Sequence, residues 1–433
     1  MFGVGIESAK KRFEPLMDRF RREIGRRVRQ TRQILKHEGP RGLADRVRRS
    51  LAQWMAPQSE RSPFRVRDVL KADLSRPPRI TVPEIRDGEP IIVNWVMVPP
   101  GPRGGGHGTI FRIIRRLEQL GYENRVYFYN IYRGDHDYYS SVLRQFYGFH
   151  GFISDVDAGM NNAHAVVATA WATAYPVWNT PCAGKRFYFV QDFEPYFHPV
   201  GALSLLAENT YRMGFHAITA GRWLAQKLNA EYGMSADSFN FGCDTSHYGR
   251  LDQSERNGVV FYARPEVARR GFELGVMALE IFARRHPEIE LHFYGNRIRG
   301  LPFRFVNHGR LGPDELNRIY NRCYAGLSLS MTNVSLVPHE MLAAGCIPVV
   351  NEAIHNRIVL DNRYVRYVRP YPEALASELE AVVTSKDFES LSCAAAASVR
   401  GISWEDAGSA VDAILRRALQ PAEQNRAGLI TAI

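Results

Sequence analysis

The sequence has 433 residues, too many for one hydrophobic core of ordinary size, so two α/β-type domains are the natural expectation. Apolar residues make up 45% and charged residues 23%, a balance typical of a globular protein and not of a disordered one. No run approaches the roughly 20 apolar residues of a membrane-spanning helix, and the amino terminus lacks the short apolar core of a secretion signal. The five cysteines are far apart and form no C-x-x-C pair, so neither disulfides nor a zinc site are expected. These features predict a cytoplasmic protein.

The net charge of +11 is concentrated at the amino terminus. Residues 1–49 contain fifteen Lys and Arg against six Asp and Glu, which is +9 of the total, so the remaining chain is nearly neutral. Apolar residues recur at helical spacing from Phe13 to Val28 and, after the break "HEGPRG", from Leu43 to Met55. This pattern predicts two basic amphipathic helices within residues 1–56.

Three interpretations of residues 1–56 remain open. Such helices would lie on an anionic membrane surface, gaining about 1 kcal/mol per basic residue near the headgroups, which would hold the protein peripherally on the inner face of the cell membrane. Equally, they would form a hairpin that packs on the same protein or on a second copy of it, as in a homodimer. A nucleic-acid-binding arm is disfavoured, because the rest of the sequence shows no stripe of basic and aromatic residues.

Strands and helices alternate from about residue 91 onward. Residues 57–90 are rich in proline and charge, as in "RPPRITVPEIRDGEP", so we expect a linker or wrapping arm there. Short apolar strands separated by helices run through residues 91–249 and again through 250–402, with a last helix in 403–433. The pattern predicts an α/β fold of two doubly wound, Rossmann-like domains. Ligands of such sheets bind at the carboxyl ends of the strands, so we expect a site in the cleft where the domains face each other.

A single carboxylate, Glu340, stands where a predicted helix begins, after the strand "AGLSLS" and the turn "MTNVSLV". Pro338 has the backbone angle that starts a helix, and the free N–H groups of the turn would bind an anion in the cleft. A carboxylate beside such a site suits a ligand with both phosphate and vicinal hydroxyls, such as a ribose next to a diphosphate. The simpler interpretation is that Glu340 only stabilises the helix dipole, by about 0.3–1 kcal/mol. The residues assigned to ligand binding in this segment are Thr332, Asn333, Ser335, Leu336 and Glu340.

Two arginines lie at the ends of predicted strands in the same domain. Arg264 follows "GVVFYA", and Arg270 comes just before the helix that Gly271 opens. Guanidinium groups at these positions would hold phosphate oxygens, because they are always charged and donate in a planar fork. Arg269 is interpreted as a solvated neighbour.

The order of these segments resembles the retaining glycosyltransferases of the GT-B fold, glycosyltransferase family 4. In that family a strand is followed by "GR", "KG" and a helix, and later by a glutamate motif whose helix ends in "GxPVV". The counterparts here are "AR" at 263–264, "RG" at 270–271 and "HEMLAAGCIPVV" at 339–350, while "FGCDTSHY" at 241–248 is similar to the interdomain "NGVDxxxF". "SWEDAGSAVDAILRRAL" resembles the family's carboxy-terminal helix, which returns to the first domain. The resemblance covers about Pro90 to Leu419 and depends on the order of the motifs, since no single one is diagnostic.

The resemblance implies a nucleotide-sugar donor in the second domain, with Glu340 on its ribose. Transfer would retain the anomeric configuration and need no metal ion or other cofactor, because Arg264, Arg270 and the turn amides would stabilise the departing diphosphate. The family's first acid in the glutamate motif is replaced here by Thr332, which implies an altered sugar subsite suited to a deoxy sugar. "FVQDFEPYFHP" at 189–199 resembles the branch that uses dTDP-L-rhamnose in surface polysaccharide assembly. We therefore expect dTDP-L-rhamnose as the donor, with other sugar nucleotides as the alternative.

The first domain is expected to bind the glycan acceptor, either free or carried on a lipid. The glycines of "PPGPRGGGHGT" would let the backbone approach a ligand at the start of a helix, although a flexible turn is the plain alternative. Asp192 and Glu194 follow a buried strand; one would position or deprotonate the acceptor hydroxyl and the other would stabilise a positive transition state, with Asp192 preferred. The catalytic set is then Asp192, Glu194 and Arg270, and the acceptor set is Gly105, Gly106, His107, Gln191, Asp192 and Tyr196.

Other functions remain open at this point. "SDVD" at 154–157 matches the metal-binding D-x-D of the GT-A fold superficially, but it lies between segments of the first sheet and is interpreted as a surface turn. A nucleotide-sugar epimerase or phosphorylase would use the same phosphate-binding groups. A non-catalytic membrane adaptor would keep the amphipathic helices and lose affinity for nucleotides.

Overall fold

The computed structural model describes residues 63–102, 104–252 and 255–420, together with the isolated positions 40 and 47. Apart from these two positions, the basic helices predicted in residues 1–56 lie outside the described residues. A compact unit begins at Phe64 and contains two parallel sheets. Within the described ranges, no helix is both long enough and apolar enough to span a lipid bilayer.

The first sheet contains seven described strands, all parallel, in the order β3-β2-β1-β4-β5-β6-β7. Central strand β1 pairs on both sides, with Val93 opposite Asn124 of β2 and Ala165 of β4. The strands are β1 Ile92–Met97, β2 Glu123–Phe128, β3 Phe152–Asp155, β4 Ala165–Ala168, β5 Lys185–Val190, β6 His216–Ala220 and β7 Ala236–Phe239. The helices of this part are α1 Val66–Lys71, α2 Gly105–Gln119, α3 His136–Val142, α4 Trp171–Asn179, α5 Ala202–Asn209 and α6 Arg222–Tyr232.

The second sheet contains six described strands, also parallel, in the order β10-β9-β8-β11-β12-β13. Its strands are β8 Gly258–Ala263, β9 Glu290–Gly295, β10 Val306–Gly309, β11 Cys323–Leu327, β12 Ile347–Asn351 and β13 Arg366–Val368. Its helices are α7 Phe272–Arg285, α8 Pro313–Arg322, α9 Val337–Ala343, α10 Ile354–Leu360, α11 Pro372–Val383 and α12 Phe388–Ala397.

Helices cover both faces of the first sheet, which explains why its strands read as continuous apolar runs. In β5, Phe187 and Phe189 belong to one hydrophobic cluster and Tyr188 and Val190 to another, as the alternation of side chains along a strand requires. All four side chains are fully buried. Burying each of the two phenylalanines stabilises the fold by about 1.5–3 kcal/mol relative to an exposed ring. The carboxyl ends of the strands are thereby held in fixed positions, and the loops that follow them can carry a site.

The last described helix, α13 (Trp404–Leu419), packs against α2 and β7 of the first sheet. Ser403 caps its start by accepting a hydrogen bond from the backbone N–H of Asp406 at 3.0 Å. Tyr122 donates to Asp412 at 2.7 Å, which joins the helix to the end of α2. The chain thus passes between the two sheets a second time, next to the first passage, where the Cys243 N–H donates to the Ile402 carbonyl.

The segment before β1 lies along the first sheet. Its described part contains the six-residue helix α1, although its proline content argued against regular structure. Asn179 donates to the Asp68 carbonyl at 2.7 Å, and the Gly184 N–H donates to the Thr81 carbonyl at 2.8 Å. These bonds fix the segment to α4 and to the turn before β5.

Candidate functional site

The loops that follow β5 and β11 contact each other at the carboxyl ends of the two sheets. β5 ends at Val190 and is followed by Gln191 and Asp192, while β11 ends at Leu327 and leads to the turn that contains Asn333. The Asn333 side-chain amide donates to the backbone carbonyls of Gln191 and Ala220, both at 2.8 Å. Residues predicted for the acceptor side and for the donor side are therefore brought together in one place.

Asp192 is the centre of this contact. Its Oδ1 accepts from the backbone N–H of Asn333 at 2.8 Å and from that of Phe193 at 2.9 Å. Its Oδ2 accepts from the hydroxyl of Thr332 at 3.0 Å and lies 3.3 Å from Nε of Arg269. The residue is 8% exposed. Three of these four contacts of a carboxylate from the first sheet domain thus come from the second.

Arg269 belongs to this group, and the interpretation of it as a solvated neighbour is wrong. Its guanidinium lies over the ring of Phe197, 4.2 Å from the centroid, while its Nε faces Asp192. The residue sits in the 3₁₀ turn Ala268–Arg270, which directs consecutive side chains to different sides. The pair of adjacent arginines before Gly271 indicates a basic site in the sequence, but it does not show which of the two faces the first sheet domain.

Arg270 is half-buried beside the same turn. Its Nη1 donates to the hydroxyl of Ser330 at 2.8 Å and to the Asn333 carbonyl at 3.4 Å. Burial lowers the pKa of Arg270, and the nearby carboxylate of Asp192 acts in the opposite direction. The guanidinium therefore holds the shape of the 330–333 turn and adds positive charge next to Asp192.

Arg264 is directed elsewhere. Its guanidinium donates to the hydroxyl of Tyr262 at 2.7 Å and forms an ion pair with Glu266 of the same loop. The structure therefore does not bring Arg264 into hydrogen-bonding contact with the group around Asp192.

Gly271 allows this loop to pass close to the turn. It has φ +58° and forms the cap of α7, and a Cβ placed on it would lie 2.8 Å from Cε of Met331. Both the left-handed backbone and the close approach favour glycine. The Met331 N–H in turn donates to the Arg269 carbonyl at 2.9 Å, which holds the two loops together.

Glu340 lies in the first turn of α9, apart from the Asp192 group. Its Oε2 accepts a long hydrogen bond of 3.4 Å from Tyr320, whose oxygen is 2.8 Å from that of Tyr294. Burial raises the pKa of Glu340 to about 7, against the opposing charge of Arg112 and the Tyr320 hydrogen bond. α9 has only seven residues, so its helix dipole is small. Individual backbone N–H groups would therefore contribute more than the dipole to binding an anion. Ser335 and Leu336 are half-buried in the turn before α9.

The glycine loop leads into α2, which begins at Gly105. Gly106 faces the site, because a Cβ placed there would lie 3.5 Å from Nε2 of Gln191. His107 is half-buried; its Nε2 is hydrogen-bonded to the Val98 carbonyl at 3.0 Å, and burial lowers its pKa. This hydrogen bond fixes the loop to the end of β1, and binding of the acceptor by His107 stays a prediction.

Glu194, the other catalytic candidate, is 5% exposed. Its oxygens accept from the Trp171 N–H at 2.7 Å and from the Tyr188 hydroxyl at 2.9 Å, at the start of α4. Burial raises its pKa to about 7. Tyr196, two residues later, is 55% exposed and packs edge-on against Phe193, so it remains available to a ligand.

Both aspartates of "SDVD" are contacted by basic side chains. Asp157 forms ion pairs with Arg65 and Arg67, and Asp155 is hydrogen-bonded to Nδ1 of His136 at 2.7 Å. In the part of the chain that the structure describes, no group of three or more His, Cys, Asp and Glu side chains is arranged to hold a metal ion.

Two facing parallel sheets of this order form the GT-B fold, and comparison with solved structures confirms that prediction. Anabaena HepE in complex with UDP and glucose superposes with a TM-score of 0.59 at 13% identity, over 76% of this chain and all of that one. A Rickettsia africae glycosyltransferase gives 0.57 at 12% identity, over 77% and 100%. A mutant of S. aureus TarM, solved with Fondaparinux, alpha-GlcNAc-glycerol and UDP, gives 0.61 at 6% identity, over 75% and 99%. Likeness at such low identity establishes the fold alone.

Two further similarities come from sequence. The family described as "WsaF, C-terminal domain" matches residues 257–380, which contain most of the second sheet domain. The O-antigen biosynthesis protein RfbC of Myxococcus xanthus is 34% identical over 252 residues. That match covers 55% of this chain, which spans only 20% of the length of RfbC.

Proposed function

We propose that the protein is a glycosyltransferase that moves a sugar from a nucleotide-sugar donor onto a cell-surface glycan. One observation carries this proposal: where the two GT-B domains meet, the guanidinium of Arg269 and the Asn333 N–H contact one buried carboxylate, and Arg270 is hydrogen-bonded to the same turn. Such donors in a water-poor cleft are suited to a diphosphate. The similarity to an O-antigen biosynthesis protein and to the WsaF domain supports a surface glycan as the acceptor.

Different protein groups in the cleft would act on the leaving diphosphate and on the acceptor. Arg270, the turn amides and Arg269 would stabilise the charge that builds on the departing diphosphate, the electrostatic contribution that is usually the largest. Glu340 would accept hydrogen bonds from the ribose hydroxyls, which its first-turn position and its Tyr320 contact support. Asp192 would position the acceptor hydroxyl, next to the exposed ring of Tyr196 and the backbone of Gly106.

We propose L-rhamnose, delivered from dTDP-L-rhamnose, as the transferred sugar, with retention of configuration. The support is the neutral side chain at Thr332, which is 2% exposed and contacts Asp192 where the related pattern has an acid. A deoxy sugar has one hydroxyl fewer to bind, so it requires fewer charged partners. The "FVQDFEPYFHP" resemblance supports the same donor.

The test is product analysis with a panel of sugar nucleotides. Purified protein is incubated with dTDP-L-rhamnose, UDP-glucose or GDP-mannose and a rhamnose-containing surface glycan, and the release of nucleoside diphosphate and the glycosidic linkage are both measured. We expect dTDP release only when the acceptor is present, together with a new rhamnosyl residue that keeps the anomeric configuration of the donor. Conversion of the donor alone to another sugar nucleotide would contradict the transferase and support an epimerase.

A further inference from the structure

The contacts of Asp192 have the composition of an anion site. Three different hydrogen-bond donors of the second sheet domain converge on its carboxylate: the hydroxyl of Thr332, the N–H of Asn333 and the guanidinium of Arg269. Thr332 and Asn333 are 2% and 1% exposed. Arg270 donates a hydrogen bond to Ser330 of the same turn and adds a second positive charge. A site of these donors binds phosphate oxygens as readily as a carboxylate.

The carboxylate comes from the opposite side of the cleft. Asp192 follows β5 of the first sheet domain, whereas all three donors belong to the segments after β8 and β11 of the second. Nε of Arg269 is buried and faces Asp192 without a well-directed hydrogen bond. The carboxylate therefore leaves part of the donor capacity of the site unused, which an oxyanion with more oxygens would use.

We infer that Thr332, Asn333 and Arg269 form an oxyanion subsite for a phosphoryl group of the donor, and that Asp192 occupies it as an internal competitor. This inference rests on the proposed function, since the ligand is the diphosphate of a nucleotide sugar. Binding of the donor would displace the carboxylate from the second sheet domain. Asp192 would then become free to contact the acceptor only after the donor has bound. The order of events would limit the time in which a free Asp192 could activate water against the donor.

The inference predicts the sign of a binding change. In Asp192→Asn the competing charge is lost, so inorganic pyrophosphate, dTDP, UDP and GDP should bind more tightly, by about tenfold, since an apparent affinity scales with the fraction of sites that are free to bind. Sugar transfer should fall in the same variant. A carboxylate with a purely structural role would give weaker binding when replaced, and a simple base would give unchanged binding. Either result in calorimetric titration would overturn the inference.

A matched variant distinguishes two causes of tighter binding: removal of the competing carboxylate, and loss of a contact that joins the two sheet domains. Asp361, the residue after α10, forms an exposed ion pair at 3.3 Å with Arg222 of α6, and this pair also joins the two sheet domains. Asp361→Asn should leave pyrophosphate affinity unchanged. If it tightened binding as much as Asp192→Asn, the gain would come from domain separation and the inference would fail. In the double variant with Arg269→Gln, the gain of Asp192→Asn should be lost.

Pyrophosphate distinguishes this inference from the proposed function. If pyrophosphate binds and gains affinity in Asp192→Asn while no nucleotide binds, the subsite stands and the glycosyltransferase proposal fails. If neither pyrophosphate nor any nucleotide binds either protein, both fail. Should Asp192→Asn not fold, hydrogen–deuterium exchange of the unaltered protein replaces it. Pyrophosphate should then increase exchange in residues 190–194 and not in 328–336, and an unchanged 190–194 segment would contradict displacement.

Discussion

At the scale of single residues, neighbouring side chains of the same type perform different tasks. Asp192 and Glu194 are two residues apart, yet the first contacts the second sheet domain and the second accepts hydrogen bonds at the start of α4. Arg269 and Arg270 differ in the same way, because one faces Phe197 and the other Ser330. Sequence could propose the residue types and their place after strands. It could not assign their directions, which depend on short turns and on packing.

Arg270 should matter more than Arg264. Because Arg270 is hydrogen-bonded to the 330–333 turn, Arg270→Ala should weaken dTDP binding and lower the turnover of the proposed transfer by about 100-fold or more. Arg264→Ala, whose partner is Glu266, should change turnover by less than about tenfold. Steady-state kinetics and calorimetric titration of both variants make the comparison. Equal losses would contradict the placement of Arg264 outside the group.

The buried Glu194 should make folding stability depend on pH. Its pKa in the folded protein is raised to about 7 from an ordinary value near 4.5, so its contribution to stability is greatest below 4.5 and is lost as pH rises through 7. Chemical denaturation at pH 5 and pH 8 should show a decline of about 3 kcal/mol from this group, which Glu194→Gln removes. Glu231→Gln, an exposed acid paired with Lys227, is the control and should leave the decline in place. A decline unchanged in Glu194→Gln would refute the assignment.

At the scale of elements, the site depends on how short loops leave the strands. The turn from β8 to α7 needs the left-handed conformation of Gly271, and the turn from β11 to α9 is held by Asn351, which accepts from the Ser330 N–H at 2.7 Å and donates to its carbonyl at 2.8 Å. Sequence indicated that a helix begins at each loop. The hydrogen bonds between the loops could not be predicted, because they depend on how the second sheet places strands that are distant in the chain.

Gly271→Ala should damage both stability and phosphate binding. The left-handed backbone costs about 1–2 kcal/mol for a residue with a Cβ, and contact with Met331 displaces the loop that carries Arg269. Gly233→Ala is a matched control, since Gly233 has φ +62° at the end of α6 with open space around it. Both variants should lose thermal stability, and only Gly271→Ala should lose pyrophosphate affinity. Equal affinities would show that the approach of the two loops does not shape the subsite.

At the scale of the whole molecule, alternation of strands and helices was enough to predict two facing doubly wound sheets, and the GT-B fold is confirmed. Apolar runs such as "KRFYFV" predict strands buried on both faces, and β5 has that environment. The interdomain bonds of Asp192 were beyond prediction, because they join residues about 140 positions apart that meet only when the two sheet domains do. The apolar periodicity of the sequence predicts each sheet, but it does not predict which residues of the two sheet domains contact each other.

Residues 1–56 carry a separate prediction. If the basic amphipathic helices predicted there bind anionic lipid, deletion of residues 1–56 should abolish sedimentation with phosphatidylglycerol-containing vesicles and leave nucleotide binding intact. High salt should release the full-length chain from the same vesicles, because screening weakens exposed charges. Sedimentation of the shortened chain at the level of the full-length chain would refute the membrane hypothesis.

The central claim is that the cleft between the two sheet domains binds a nucleoside diphosphate through protein groups alone. Calorimetric titration with dTDP, UDP and GDP, each with and without EDTA, tests it most directly. We predict that dTDP binds preferentially, that EDTA leaves its affinity unchanged, and that Glu340→Ala weakens it. No binding of any of the three nucleotides to the unaltered protein would contradict the claim.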